Sequence, residues 1–77
     1  MDEAIAVLEA ALARSDKGRQ DGPDVRLALR VLRLCGIPAD ALRYFWESCQ
    51  GEHEIGRWQN MNAALNGIRG LSRQPKG

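Results

Sequence analysis

Cys49 and His53 stand four residues apart, the interval that sets a thiol and an imidazole on one face of a continuous helix. Such a pair is the minimum for a cysteine nucleophile with its general base. Gly51 lies between them, where a glycine ends a helix and turns the two side chains apart. A working pair also needs a cleft and a third group to orient the base, and 77 residues leave little room to build either. Adding Cys35 gives a third donor, but the three lack the close paired spacing of a structural zinc site. Gly67 and Gly70 fall inside a helical pattern and not after a strand, so they form no phosphate-binding loop. The expectation is a buried structural thiol at Cys49 and a surface imidazole at His53. No catalytic, cofactor-binding or metal-binding residues are expected, and the chain does not read as an enzyme.

The elements that carry these residues are helical. Apolar residues recur at three- and four-residue intervals almost throughout, and alternating β-branched runs are absent. The first segment, residues 2 to about 15, sets Ile5, Leu8 and Leu12 on one face and opens with two acidic residues that suit the helix dipole. "SDKGRQDGPD" interrupts the pattern with two glycines and a proline, a long loop for so small a domain. Pro23 begins the second segment, residues 23–35, with Asp24 in its first turn. Its apolar residues cover well over half the girth and confine Arg26, Arg30 and Arg33 to one narrow sector. A helix apolar over most of its girth is expected to be enclosed by its neighbours, which makes the second helix central. Gly36 caps it in the left-handed conformation. The third helix covers 38–50 and is stopped by Gly51; the fourth covers 54–71. The fourth carries Ile55, Trp58, Met61, Leu65, Ile68 and Leu71 as its apolar stripe, and Gly67 and Gly70 suggest fraying before a flexible tail, 72–77. The pattern predicts one all-α domain over 1–77, with four short helices.

Composition bounds what such a domain does. An apolar fraction of 44% and a charged fraction of 27% are ordinary for a globular chain. The net charge of +1 is too small for a generic nucleic-acid or membrane-surface binder. It hides a partition: −3 over residues 1–16, +3 over 17–36, −3 over 37–54 and +4 over 55–77. Alternating signs let successive helices pack without like-charge repulsion, and they leave no single polyanion-binding face. No apolar run is long enough for a membrane span, and "MDEAIAVLEA" is acidic where a signal peptide is basic. Two cysteines fit a reduced, cytoplasmic protein.

"LRVLRLCGIPADALRYFW" loosely resembles a helix-turn-helix: a helix, a glycine, an apolar residue, then a second helix with Leu42 and Phe45 at the motif's apolar offsets. The resemblance covers about twenty residues and implies a DNA-binding transcriptional regulator. Two positions depart from it. Leu32 stands where the motif carries a small residue, and the would-be recognition helix exposes Asp40 and Glu47 with Arg43 as its basic contact. Acidic groups repel the phosphates on which duplex affinity depends.

The aromatic residues point elsewhere. Tyr44, Phe45 and Trp46 are consecutive, so they diverge by about 100° each and cannot share one core face. Phe45 belongs inside, on a stripe with Leu42 and Cys49; Trp46 straddles the edge and Tyr44 faces out. Tyr, Trp and Arg dominate binding hot spots. The amide-rich "QNMNAALN" adds an uncharged polar face that tolerates burial against another chain. Arg26, Arg30 and Arg33 are a solvated face, partners for the acidic first or third helix, or a docking site for an acidic surface. The expected function is therefore non-enzymatic protein–protein interaction, as a small adaptor, inhibitor or regulator. Its contact residues would be Tyr44, Trp46, Arg43, Arg26, Arg30 and Arg33. Compact chains of this size are common on phages and other mobile elements, where they redirect a host protein. By that analogy of size and composition, the expected partner is a host protein or a second copy, with no membrane and no nucleic acid involved.

Overall fold

The computed structural model describes residues 1–73. It is an all-α domain of four helices: α1 (Asp2–Ala13), α2 (Pro23–Leu34), α3 (Ala39–Cys49) and α4 (Glu54–Arg73), with one 3-10 turn at Ser15–Lys17. α1 packs chiefly on α2, and α3 chiefly on α4; contacts of α1 with α4 and of α2 with α3 join the two pairs. The resulting body measures 39 × 21 × 18 Å. Its core runs through both pairs, from Leu8 and Ala11 past Val25 and Leu32 to Phe45, Met61, Leu65 and Ile68.

The corner between α2 and α3 follows from one glycine. Gly36 adopts φ 101°, a conformation that side chains with a Cβ disfavour. Its N–H donates to the carbonyl of Arg33, and the N–H of Ile37 donates to that of Leu32 at 3.0 Å. This pair of bonds is the Schellman closure, and Ile37 then buries itself in the same core as Leu32. The expected left-handed cap is present.

The long loop is held by a buried cation. Arg57, in the first turn of α4, is 5% exposed. Its Nε and Nη2 donate to the Ser15 carbonyl at 2.8 and 2.5 Å, and its Nη1 donates to the Gly51 carbonyl at 2.8 Å. No carboxylate among the described residues pairs with it. The Gln20 N–H adds a bond to the Cys49 carbonyl, and Arg19 meets Glu52 at 3.3 Å. Residues 14–22 are thereby fastened across the turn between α3 and α4.

Three expectations need correcting. α2 touches both α1 and α3, but it is not enclosed: Leu27 is 61% and Leu34 83% exposed, and Val31 lies at the surface as well. Only Val25, Ala28 and Leu32 are buried, because two short neighbours cover one side of the helix and no element among the described residues covers the other. The stripe of α4 begins with Arg57, not with Ile55 and Trp58. Arg57, Met61, Ala64 and Ile68 share the buried face, and Ile55, turned away from it, is 73% exposed. α4 also continues to Arg73 without a break. Gly67 and Gly70 sit on its outer side, so packing of Leu65, Ile68 and Leu71 outweighs their poor propensity. Residues 74–77 of the expected tail lie outside the described residues.

Two outcomes follow for denaturant unfolding. Leu32→Ala should cost about 2–5 kcal/mol, whereas Leu34→Ala should cost less than about 0.5 kcal/mol; equal losses would contradict this assignment of faces. Arg57→Lys should destabilise the fold by about 2–3 kcal/mol, because an ammonium cannot reproduce the fork that reaches two carbonyls. A Lys variant as stable as the parent would show that the guanidinium contributes charge alone.

Candidate interaction surface

The three consecutive aromatics take three different environments. Phe45 is fully buried and Trp46 half-buried, while Tyr44 is 46% exposed. The Arg26 guanidinium carbon lies 5.5 Å from the centroid of the Trp46 ring. A cation over an aromatic face at that range contributes about 0.5–1 kcal/mol when exposed, and here it links α2 to α3. Tyr44 and Trp46 are two residues apart on one helix, hence about 200° apart around its axis. They flank α3 on opposite sides and do not form one edge.

The remaining expected contact residues are scattered. Arg43 is exposed and reaches Asp40 at 3.8 Å within α3. Arg30 and Arg33 are exposed and make no salt bridge among the described residues. The acidic residues of α1 do not meet the arginines of α2: Glu9 pairs with Arg69 of α4. Of the six residues singled out by composition, the fold brings Arg26 to Trp46 across two helices, and Arg26 and Arg30 line one shallow hollow with Pro23 and Leu27.

The larger feature was not expected. Leu27, Val31 and Leu34 follow one another at intervals of four and three, so they align within an arc of about 60° on the outside of α2. Beside Leu27 and Val31, Met1 and the α1 residues Ala4 and Val7 line an open groove of about 470 Å³. Asp2, Glu3 and Asp24 edge the groove toward α1. On the other side of the ridge stand Arg30 and, further round, Arg26 and Arg33. The result is an apolar ridge between an acidic border and a basic one. Its signal in the sequence was the breadth of the apolar arc of α2, which exceeds what one packed face requires. A second, smaller hollow of about 210 Å³ lies where Ile55 and the half-exposed Trp58 meet Asp16 and Glu54.

The same structure places the chemically suggestive residues apart. Cys49 is buried at the end of α3, and burial pushes its thiol up to about 12. The thiol is therefore protonated at neutral pH, when only the thiolate is a nucleophile. His53 is exposed beyond the turn, and its backbone carbonyl accepts the Arg57 N–H at 2.7 Å. No group of three or more His, Cys, Asp or Glu among the described residues could hold a metal ion. No helix among them is long and apolar enough to cross a membrane. The outward residues of α3 include Asp40, Arg43, Tyr44 and Glu47, a poor match for a DNA groove.

The two cysteines should separate in a thiol titration of the native protein. Cys35, partly exposed, should react promptly with an aromatic disulfide reagent at pH 8, and Cys49 only after denaturant is added. Prompt reaction of both would mean that the end of α3 opens readily.

No protein-family model, curated protein or solved structure matches the chain, and the functional reading rests on the geometry of this surface.

Proposed function

We propose that this chain is a non-enzymatic protein-interaction domain whose contact surface is the outer ridge of α2. The observation that carries the reading is the exposure of Leu27 and Leu34 in line with Val31. Single exposed apolar residues are common, but aligned ones beside a groove are not random surface. Covering a leucine of this kind contributes about 1.5–3 kcal/mol, and three aligned residues suit the helix-in-groove mode of recognition. The arginines beside the ridge add the residue type most often found at energetic centres of interfaces. Adaptor, inhibitor and regulator all fit such a domain, because each acts by occupying another chain.

The test compares the parent with a Leu27→Ser/Leu34→Ser double variant. Both substituted residues are exposed, so circular dichroism and the unfolding midpoint should be nearly unchanged. Each protein is immobilised, cross-linked in lysate of its native cell, and assayed for retained chains, including its own. Retention by the parent that is lost in the folded double variant supports the reading. Equal retention by both removes the ridge from it.

A further inference from the structure

We infer that the occupant of the α2 ridge is a second copy of this chain, with the two α2 helices side by side and parallel. The inference rests on the interaction reading and adds the identity of the partner.

The spacing of the ridge is that of a coiled-coil seam. Leu27, Val31 and Leu34 fall at successive d, a and d positions of a heptad, and the three side chains form a narrow line. The residue types also match, since leucine at d with a β-branched residue at a favours two-stranded parallel pairing. Arg30, directly before Val31, occupies the g position that lies at the rim of such a seam.

Charge then fixes the orientation. A two-fold axis running along the ridge exchanges left and right, so the basic border of one copy faces the acidic border of the other. Arg30 of each copy meets the α1 side of its mate, where Asp2 and Glu3 stand. The contact is made twice by symmetry, as an isologous interface requires. An antiparallel pair, by contrast, has its two-fold axis across the ridge and sets each border against itself. Arg26, Arg30 and Arg33 would then confront their own copies, which like-charge repulsion disfavours. The seam is only two turns long, too short to hold a dimer alone. Met1, Ala4 and Val7 lie beside it in the same groove and extend the apolar contact to α1.

Sedimentation equilibrium of the purified full chain provides the first arm. The parent should pass from monomer to dimer as concentration rises, and Leu34→Glu should weaken the dimer about thirtyfold or more. Leu34 is 83% exposed, so this variant should fold, as circular dichroism will verify. Arg30→Glu and Glu3→Arg should each weaken the dimer, and the combination of the two should recover it. Orientation is read in a Cys35→Ala background. Leu34→Cys copies should cross-link to one another on mild oxidation, whereas mixing them with Leu27→Cys copies should give little mixed product. Preferential Leu27–Leu34 cross-linking would overturn the parallel arrangement. A parent that stays monomeric at millimolar concentration, or a dimer indifferent to Leu34→Glu, would overturn self-pairing on this face. In the monomeric case, lysate retention lost in the Leu27→Ser/Leu34→Ser variant would still uphold the interaction reading, with a foreign chain as occupant.

Discussion

A guanidinium that meets carbonyls, and no carboxylate among the described residues, holds this domain together. Arg57 reaches from the first turn of α4 to the carbonyls of Ser15 and Gly51, which lie just past the ends of α1 and α3. Helix C-termini carry partial negative charge and unsatisfied carbonyls, so a planar cation with five donors fits between them better than any neutral group. One side chain thereby fixes where three helices meet. Because Ser15 is itself buried, the clamp also sets the path of the chain that follows, and with it the start of α2.

The placement of α2 follows from that clamp. Residues 14–22 are tied to the turn between α3 and α4 by Arg57, Gln20 and Arg19, and Arg14 meets Asp24 at 3.2 Å where α2 begins. The exposed ion pairs in this set contribute little individually, but the buried bonds do not depend on salt. α2 is thus carried outward on α1 and steadied against α3 by the Arg26–Trp46 contact. Its inner side fills the core with Val25, Ala28 and Leu32. Its outer side carries Leu27, Val31 and Leu34, which no other helix among the described residues covers. A domain of this size buries a smaller fraction of its surface than a larger one, and on α2 the uncovered apolar residues Leu27, Val31 and Leu34 fall in one line.

That arrangement explains which features were legible in the sequence. Helix positions came from local signals: Pro23 at a helix start, Gly36 at a helix end, and a three-to-four periodicity in between. The divergence of Tyr44, Phe45 and Trp46 came from helix geometry alone, and Phe45 inside, Tyr44 outside and Trp46 between are where the structure has them. Periodicity reports which residues share an arc, but not how many neighbours cover it. For α2 the arc was read as enclosure, when it consists of a buried face and an exposed one. Arg57 was missed for a related reason. An arginine one position before a tryptophan reads as the polar neighbour of an apolar stripe, and only the carbonyls brought from Ser15, 42 residues away, make its burial favourable. No local pattern encodes that meeting.

The buried polar groups serve the fold itself. Buried polar side chains are engaged in holding backbone: Arg57 on two carbonyls, and Ser48 Oγ on the Tyr44 carbonyl at 2.6 Å. Among the described residues no buried side-chain nitrogen or oxygen lacks a partner. Among the described residues the strongly shifted group is Cys49, whose thiol is raised by desolvation on burial. Burial therefore keeps the Cys49 thiol protonated inside the domain, while Leu27, Val31 and Leu34 present apolar area outside it. A fold built this way stabilises itself through its interior polar bonds and leaves an apolar ridge exposed along α2.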